Sequence, residues 1–213
     1  MFKEEIPLPK IRKQYGKSFP GTNPHHLVPR SRDRDKSANS SHFNFFPYRT
    51  SSHRAYHDII FWNLRIDEIW RVLDQVYHSI FESGEDYVYP WWLGSCSLDT
   101  GTEKQKIIFE KDKANRLTKL VSAKVLQKAW EEVFGGYSLE QARYTLKYMM
   151  LFMIFGLNMT DTDQLFINGN LARFFKDYPS SGYRFWAYRV CFGKNADWQT
   201  IKAKMRKIIR RSP

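Results

Sequence analysis

Histidines are concentrated near the amino-terminal end of the chain, where five of the six fall between positions 25 and 57. These five are His25, His26, His42, His53 and His57. Because His53 and His57 are four positions apart, a helix would place both imidazoles on one face. Two neutral imidazoles on adjacent turns can chelate a divalent ion, and a catalytic site needs a third ligand while leaving positions open for water and phosphate. The spacing therefore predicts a metal site.

The His25–His26 doublet can supply that third ligand. Neighbouring residues on a strand point to opposite sides, so only one of the two is expected to reach the ion. The natural division is one ligand and one base, since an imidazole with a pKa near 6.5 is mostly neutral at pH 7 and can take a proton from water. Such a base needs an orienting partner, and Asn44 has both a donor and an acceptor to offer.

These residues resemble a known motif. The run from His25 to Arg32 (HHLVPRSR), followed by Asn44, His53 and His57, is similar to the motif of the HNH endonucleases, whose fold is the ββα-metal finger. His53 follows Asn44 by nine positions and His57 follows four later, a spacing that resembles the colicin-class HNH nucleases. The resemblance covers residues 20–64, which is less than a third of the chain.

The resemblance implies a role for each matched residue. The implied metal ligands are His25, His53 and His57; the implied general base is His26, with Asn44 orienting it. The implied activity is hydrolysis of phosphodiester bonds with one divalent ion, leaving 5′-phosphate and 3′-hydroxyl ends. Zn, Ni, Mn and Mg all remain open, because imidazole favours the later transition metals whereas turnover can prefer a harder ion. Arginines near the site are expected to contact phosphate. The expected phosphate contacts are Arg30, Arg32 and Arg54.

The loop between the two predicted strands departs from the family pattern. It reads Arg-Asp-Arg-Asp at positions 32–35, where many HNH proteins have a glycine pair, so a longer and differently shaped loop is expected. Asn39 in this loop competes with Asn44 for the orienting role, but only Asn44 keeps the downstream spacing. The four-cysteine zinc ribbon of some HNH branches is absent from the sequence, so the helical remainder is expected to brace the finger.

Charge points to a polyanionic partner. The net charge is +12, with eleven Lys and Arg against four Asp and Glu in residues 1–57 and seven against one in residues 194–213. A basic excess at both ends favours nucleic acid over an acidic membrane surface, and the HNH resemblance favours double-stranded DNA over RNA. The basic cluster at the carboxyl end is either a second backbone contact or a solubilising helix end.

Other classes of protein fit the sequence poorly. The longest apolar run, Met149 to Leu157, falls short of the roughly 18–20 residues that a membrane span needs, and the first residues lack the apolar core of a signal peptide. Cys96 and Cys191 form no CxxC pair, so neither a disulfide framework nor a cysteine zinc site is expected. We therefore expect no membrane association and a cytoplasmic location.

Periodicity predicts a mostly helical α+β protein. Residues 1–64 are expected to form a basic amino-terminal arm and the ββα finger, and residues 65–213 a mainly helical region with a basic carboxyl-terminal helix. One strand is expected to begin at His25, and a second is expected to span Phe43 to Tyr48. A helix capped by Ser51 or Ser52 is expected to run to Phe61. Further helices are predicted over Ile66 to Phe81, Leu117 to Phe134, Ser138 to Phe155, Asp163 to Tyr178, Tyr183 to Cys191 and Asp197 to Arg210.

A non-catalytic alternative accounts for much of the same pattern. In it the finger is structural, with the ion holding the fold, and residues 65–213 bind nucleic acid or recruit a protein partner. A closed site with four ligands would favour this alternative, whereas three histidines with an open position would favour an enzyme. His42 and His78 are interpreted as structural in either case, and the aromatic residues between Tyr87 and Trp92 as core.

Overall fold

The computed structural model describes residues 21–29, 44–61, 64–82, 87–88, 120–155 and 182–211. Over these ranges the chain is mostly helical, with two small antiparallel sheets, which confirms an α+β, mostly α fold. The predicted helix over Asp163 to Tyr178 lies outside the described residues. No helix within the described ranges is both long enough and apolar enough to cross a bilayer.

The first sheet is a hairpin of β1 (Thr22–His26) and β2 (Phe45–Arg49). Thr22 pairs with Arg49 and His26 pairs with Phe45, so β1 begins three residues before the predicted start at His25. Side chains alternate as a two-residue period requires: His25 is buried and His26 is only partly buried. The backbone N–H of Thr50 donates to the carbonyl of Gly21 and closes the open end of the hairpin.

A helical segment follows β2 without a loop. It consists of α1 (Thr50–Arg54) and a π-helical stretch (Ala55–Ile60), where a single regular α-helix was predicted. The prediction that Ser51 or Ser52 caps this helix was wrong, because Arg49 is the residue at the cap and both serines lie inside the helix. Isolated π-helical turns are rare and occur often at functional sites.

Five longer elements build the rest of the described fold. Their bounds are α2 (Ile66–Phe81), α3 (Ala123–Phe134), α4 (Leu139–Phe155), α5 (Tyr183–Phe192) and α6 (Trp198–Arg211). The prediction for α3 began too early, because Leu120–Val121 (β4) pairs instead with Tyr87–Val88 (β3) as the second sheet. Gly135 ends α3 with φ of 70°, a conformation that suits glycine.

Ser138 and Gln141 have the spacing of a capping box at the start of α4, and half of that box is formed. The backbone N–H of Gln141 donates to Oγ of Ser138 at 3.1 Å, as expected. The Gln141 side chain, however, donates to the carbonyl of Arg211 at 3.0 Å and so ties α4 to the end of α6. A distant partner has replaced the local one.

One hydrophobic core runs from the hairpin into the helices. Phe46 of β2 packs edge-on against Phe152 of α4, with ring centroids 4.9 Å apart. Phe61, just after the π-helical stretch, lies 5.8 Å from the Phe134 ring of α3. The N–H of Ile66 also donates to the carbonyl of Leu27 at 2.9 Å. The small hairpin is therefore braced by the helical region, as the lack of a cysteine ribbon led us to expect.

Candidate metal centre

The three predicted ligands lie close together. The imidazoles of His25, His53 and His57 each offer a nitrogen, and these three nitrogens lie within 4.8 Å of one another. His25 comes from β1, His53 from α1 and His57 from the π-helical stretch. Among the described residues this is the group of side chains arranged to hold a metal ion.

His25 Nδ1 and His57 Nε2 lie 3.1 Å apart. Two nitrogens bound to one tetrahedral ion at about 2.0–2.1 Å each lie about 3.3 Å apart, so the observed separation fits shared coordination. The same distance also fits a hydrogen bond between two neutral imidazoles. The rings of His53 and His57 have centroids 4.8 Å apart and are perpendicular to each other.

Burial favours the neutral form of His25, which is the form that binds metal ions. Desolvation lowers the pKa of His25 well below its ordinary value of 6.5, and the neighbouring His57 and His53 lower it further. A neutral imidazole is the form that binds a metal ion. His25 is therefore in the neutral form that coordinates a metal ion at neutral pH.

Two tyrosines wall the buried side of His25. The Tyr56 ring lies edge-on to it at 4.4 Å between centroids, and the Tyr48 ring lies at 5.6 Å. The Tyr48 hydroxyl donates to the carbonyl of Val133, and burial raises the pKa of both phenols. Sequence reasoning missed both tyrosines. Tyr48 is two positions after Phe46 on β2, so strand alternation carried a signal for its inward orientation.

His26 lies on the other side of the strand from His25. Its imidazole is partly exposed and packs edge-on against Phe45, with centroids 4.6 Å apart. The separation of the doublet into an inward and an outward residue is the division that strand geometry predicted. His26 is therefore not part of the cluster of three histidines, and its ring packs against Phe45.

Asn44 is buried immediately before β2. Its Oδ1 accepts a hydrogen bond from the Val28 N–H at 2.7 Å, and its Nδ2 donates to the Val28 carbonyl at 2.9 Å. The side chain therefore fixes the backbone two residues after His26. Orientation of His26 by Asn44 stays a prediction, and the observed contacts support an effect through the chain.

The predicted phosphate contacts are only partly described. Arg54 is exposed on α1, one residue after His53. Arg30 and Arg32 lie outside the described residues, as does the competing Asn39.

A carboxylate from the helical region also reaches the site. Oε1 of Glu132 on α3 accepts hydrogen bonds from the hydroxyls of Ser51 and Ser52 on α1, and so holds the helix that carries His53. No local pattern marks Glu132, because it is 80 positions away from its partners in the chain.

No protein-family model, curated protein or solved structure matches this chain.

Proposed function

We propose that this protein is a metal-dependent nuclease of the HNH type, in which the hairpin, α1 and the π-helical stretch form a ββα-metal finger. The observation that carries the proposal is the convergence of His25, His53 and His57 within 4.8 Å. Three ligands leave coordination positions for water and a phosphate oxygen, which hydrolysis requires.

The second support is the separate position of His26. It follows a ligand directly in the chain yet faces away from the cluster and is partly exposed, so its imidazole can exchange protons with water. In the proposed reaction, His26 takes a proton from a water molecule, whose oxygen attacks phosphorus and forms a new P–O bond. The bond from phosphorus to the 3′ oxygen breaks, and that oxygen leaves and takes a proton from solvent. The products are a 5′-phosphate and a 3′-hydroxyl.

An ion bound by the three histidines would stabilise negative charge on the phosphate during attack. The residues of the chain supply the rest. Burial keeps His25 neutral, the Glu132 contacts hold α1, and Asn44 fixes the backbone after His26. Double-stranded DNA is the proposed substrate, and the basic excess of the chain suits its phosphate backbone.

Plasmid cleavage by the purified full chain tests the proposal. We expect nicking or cutting with Zn, Ni, Mn or Mg and none with excess chelator, with products that a ligase can rejoin. His53→Ala should lose both metal binding and cleavage, whereas His26→Ala should bind metal and lose cleavage. His78→Ala is the matched control, because this exposed histidine pairs with Glu82 on α2, away from the cluster.

Two results would contradict the proposal. If His26→Ala cuts as fast as the parent, the base is assigned wrongly. If the parent binds one equivalent of metal through the three histidines and cuts neither DNA nor RNA, the ion is structural and the finger is a binding module.

A further inference from the structure

The exposed face of α6 is a row of cations. Within its 14 residues the helix has six Lys and Arg and no Asp or Glu. Its apolar face, formed by Ile201, Met205 and Ile208, is buried against the rest of the fold. The opposite side carries the charge.

Within the described part of the chain, two of the six cations have contacts that explain them. Lys204 donates to the carbonyl of Phe192 at 2.9 Å, and Arg211 pairs with Glu140 at 2.5 Å. The other four are Lys202, Arg206, Lys207 and Arg210. In the described part of the chain, no carboxylate lies within ion-pair distance of these four.

These four cations add little to the stability of α6 itself. Cations near a helix carboxyl end are favoured by the helix dipole, which accounts for Arg210, but the effect fades within one turn and does not reach Lys202 or Arg206. Lys202, Arg206 and Arg210 recur every four residues, about 6 Å apart along the axis, and like charges at this spacing destabilise a helix. A partner with negative charge would reverse that repulsion.

We propose that this basic face of α6, formed by Lys202, Arg206, Lys207 and Arg210, binds the phosphate backbone of duplex nucleic acid. The inference stands on α6 and is separate from the histidine cluster. It assigns a second surface through which the chain holds its nucleic acid, without contacts to the bases.

A membrane is a poorer partner for this face. An amphipathic helix binds a bilayer by inserting its apolar side, and here that side is already packed inside the protein. A single strand is also a poorer partner, because such sites stack bases on aromatic side chains, and the basic face of α6 has none. A rigid row of cations matches the regular charge of a duplex, which carries one negative charge per about 1.7 Å.

Duplex binding by the full chain in excess chelator tests the inference, since cleavage is then blocked. The variant Arg206→Gln/Arg210→Gln removes two charges four residues apart on α6. The matched control, Lys124→Gln/Lys128→Gln, removes two exposed charges at the same spacing on α3. Circular dichroism checks that both variants fold.

We expect the α6 variant to bind a labelled 25-base-pair duplex about tenfold or more weakly at low salt. The slope of log affinity against log salt should fall by about 1.8, or about 0.9 for each lost phosphate contact. The control should keep the parent slope.

The inference would be overturned by equal losses in both variants, by an unchanged slope in the α6 variant, or by no duplex binding by the parent. It would also be overturned if the α6 substitutions weakened binding only to vesicles containing anionic lipid, or only to single-stranded DNA. Absence of metal-dependent cleavage would refute the proposed nuclease and leave this result standing.

Discussion

The hydroxyl of Ser52 donates a hydrogen bond of 3.0 Å to Oε1 of Glu132, and Ser51 donates to the same oxygen at 2.5 Å. One carboxylate oxygen thus joins α3 to the short helix that carries His53. Because α1 has only five residues, it is too short to be stable alone in water. Its orientation therefore depends on contacts such as this one.

Replacing Glu132 should loosen the proposed metal centre from a distance. We expect Glu132→Ala to lower the free energy of unfolding by about 1–2 kcal/mol, since two hydrogen bonds to a charged group are lost. Divalent metal affinity, measured by calorimetry, should fall several-fold because His53 loses its fixed position. Glu131→Ala is the control, because that carboxylate contacts the exposed Tyr137. Equal effects of the two substitutions would contradict the bracing role.

The pKa of His25 gives a pH dependence to the stability of the metal-free protein. Burial and the nearby histidines lower this pKa well below 6.5 in the folded state, whereas the unfolded chain titrates near 6.5. Below pH 6.5 the unfolded state therefore binds a proton that the folded state does not. The stabilisation is complete above pH 6.5 and is lost as pH falls, by up to about 1.4 kcal/mol per pH unit.

Urea unfolding in chelator between pH 7.5 and 5 measures this effect. The parent should lose stability more steeply than His25→Leu or His25→Gln, which have no imidazole to protonate at this position. Parallel curves for the parent and both His25 variants would refute the prediction.

The sequence was sufficient for features that depend on local periodicity. A two-residue period separated His25 from His26, and a four-residue spacing brought His53 near His57. The bounds of α2 were also predicted, because its apolar positions repeat strongly over 16 residues. Each of these follows from backbone geometry alone.

Features that depend on distant partners were missed. Ser51 and Ser52 are good capping residues, but their hydroxyls donate to Glu132 instead, and the helix begins before them. Gln141 likewise leaves its capping role for a carbonyl at the end of α6. The change from α-helical to π-helical geometry at Ala55 had no signal in residue type. Tertiary contacts outweigh local preference at the two serines and at Gln141.

Asn44 should be important for stability, because both polar ends of its side chain are used. Asn44→Ala would leave the N–H and the carbonyl of the buried Val28 unpaired. We expect a loss of about 2–4 kcal/mol in unfolding free energy, from two unsatisfied buried groups. Asn44→Asp should also destabilise, since it keeps the acceptor but loses the donor.

The same variants separate folding from chemistry. At a temperature where Asn44→Ala remains folded, the proposed metal binding should persist because the three histidines are unchanged. Cleavage should fall, because the backbone that follows His26 is no longer held. Unchanged unfolding curves would show that the Val28 contacts contribute nothing, and unchanged cleavage would remove Asn44 from the proposed mechanism.

The two tyrosines beside His25 should respond in opposite ways to loss of their hydroxyl groups. Tyr48 donates to the Val133 carbonyl at 2.5 Å, so Tyr48→Phe leaves a buried acceptor unpaired and should cost about 1–2 kcal/mol. The Tyr56 hydroxyl is buried with no hydrogen-bond partner among the described residues. Tyr56→Phe removes a polar group whose burial is uncompensated, so it should be neutral or stabilising. Both changes keep the aromatic ring against His25, so denaturant unfolding of the pair compares the hydroxyls alone. If Tyr56→Phe destabilises as much as Tyr48→Phe, the Tyr56 hydroxyl has a partner in solution, and the environment of His25 is more polar than its burial indicates.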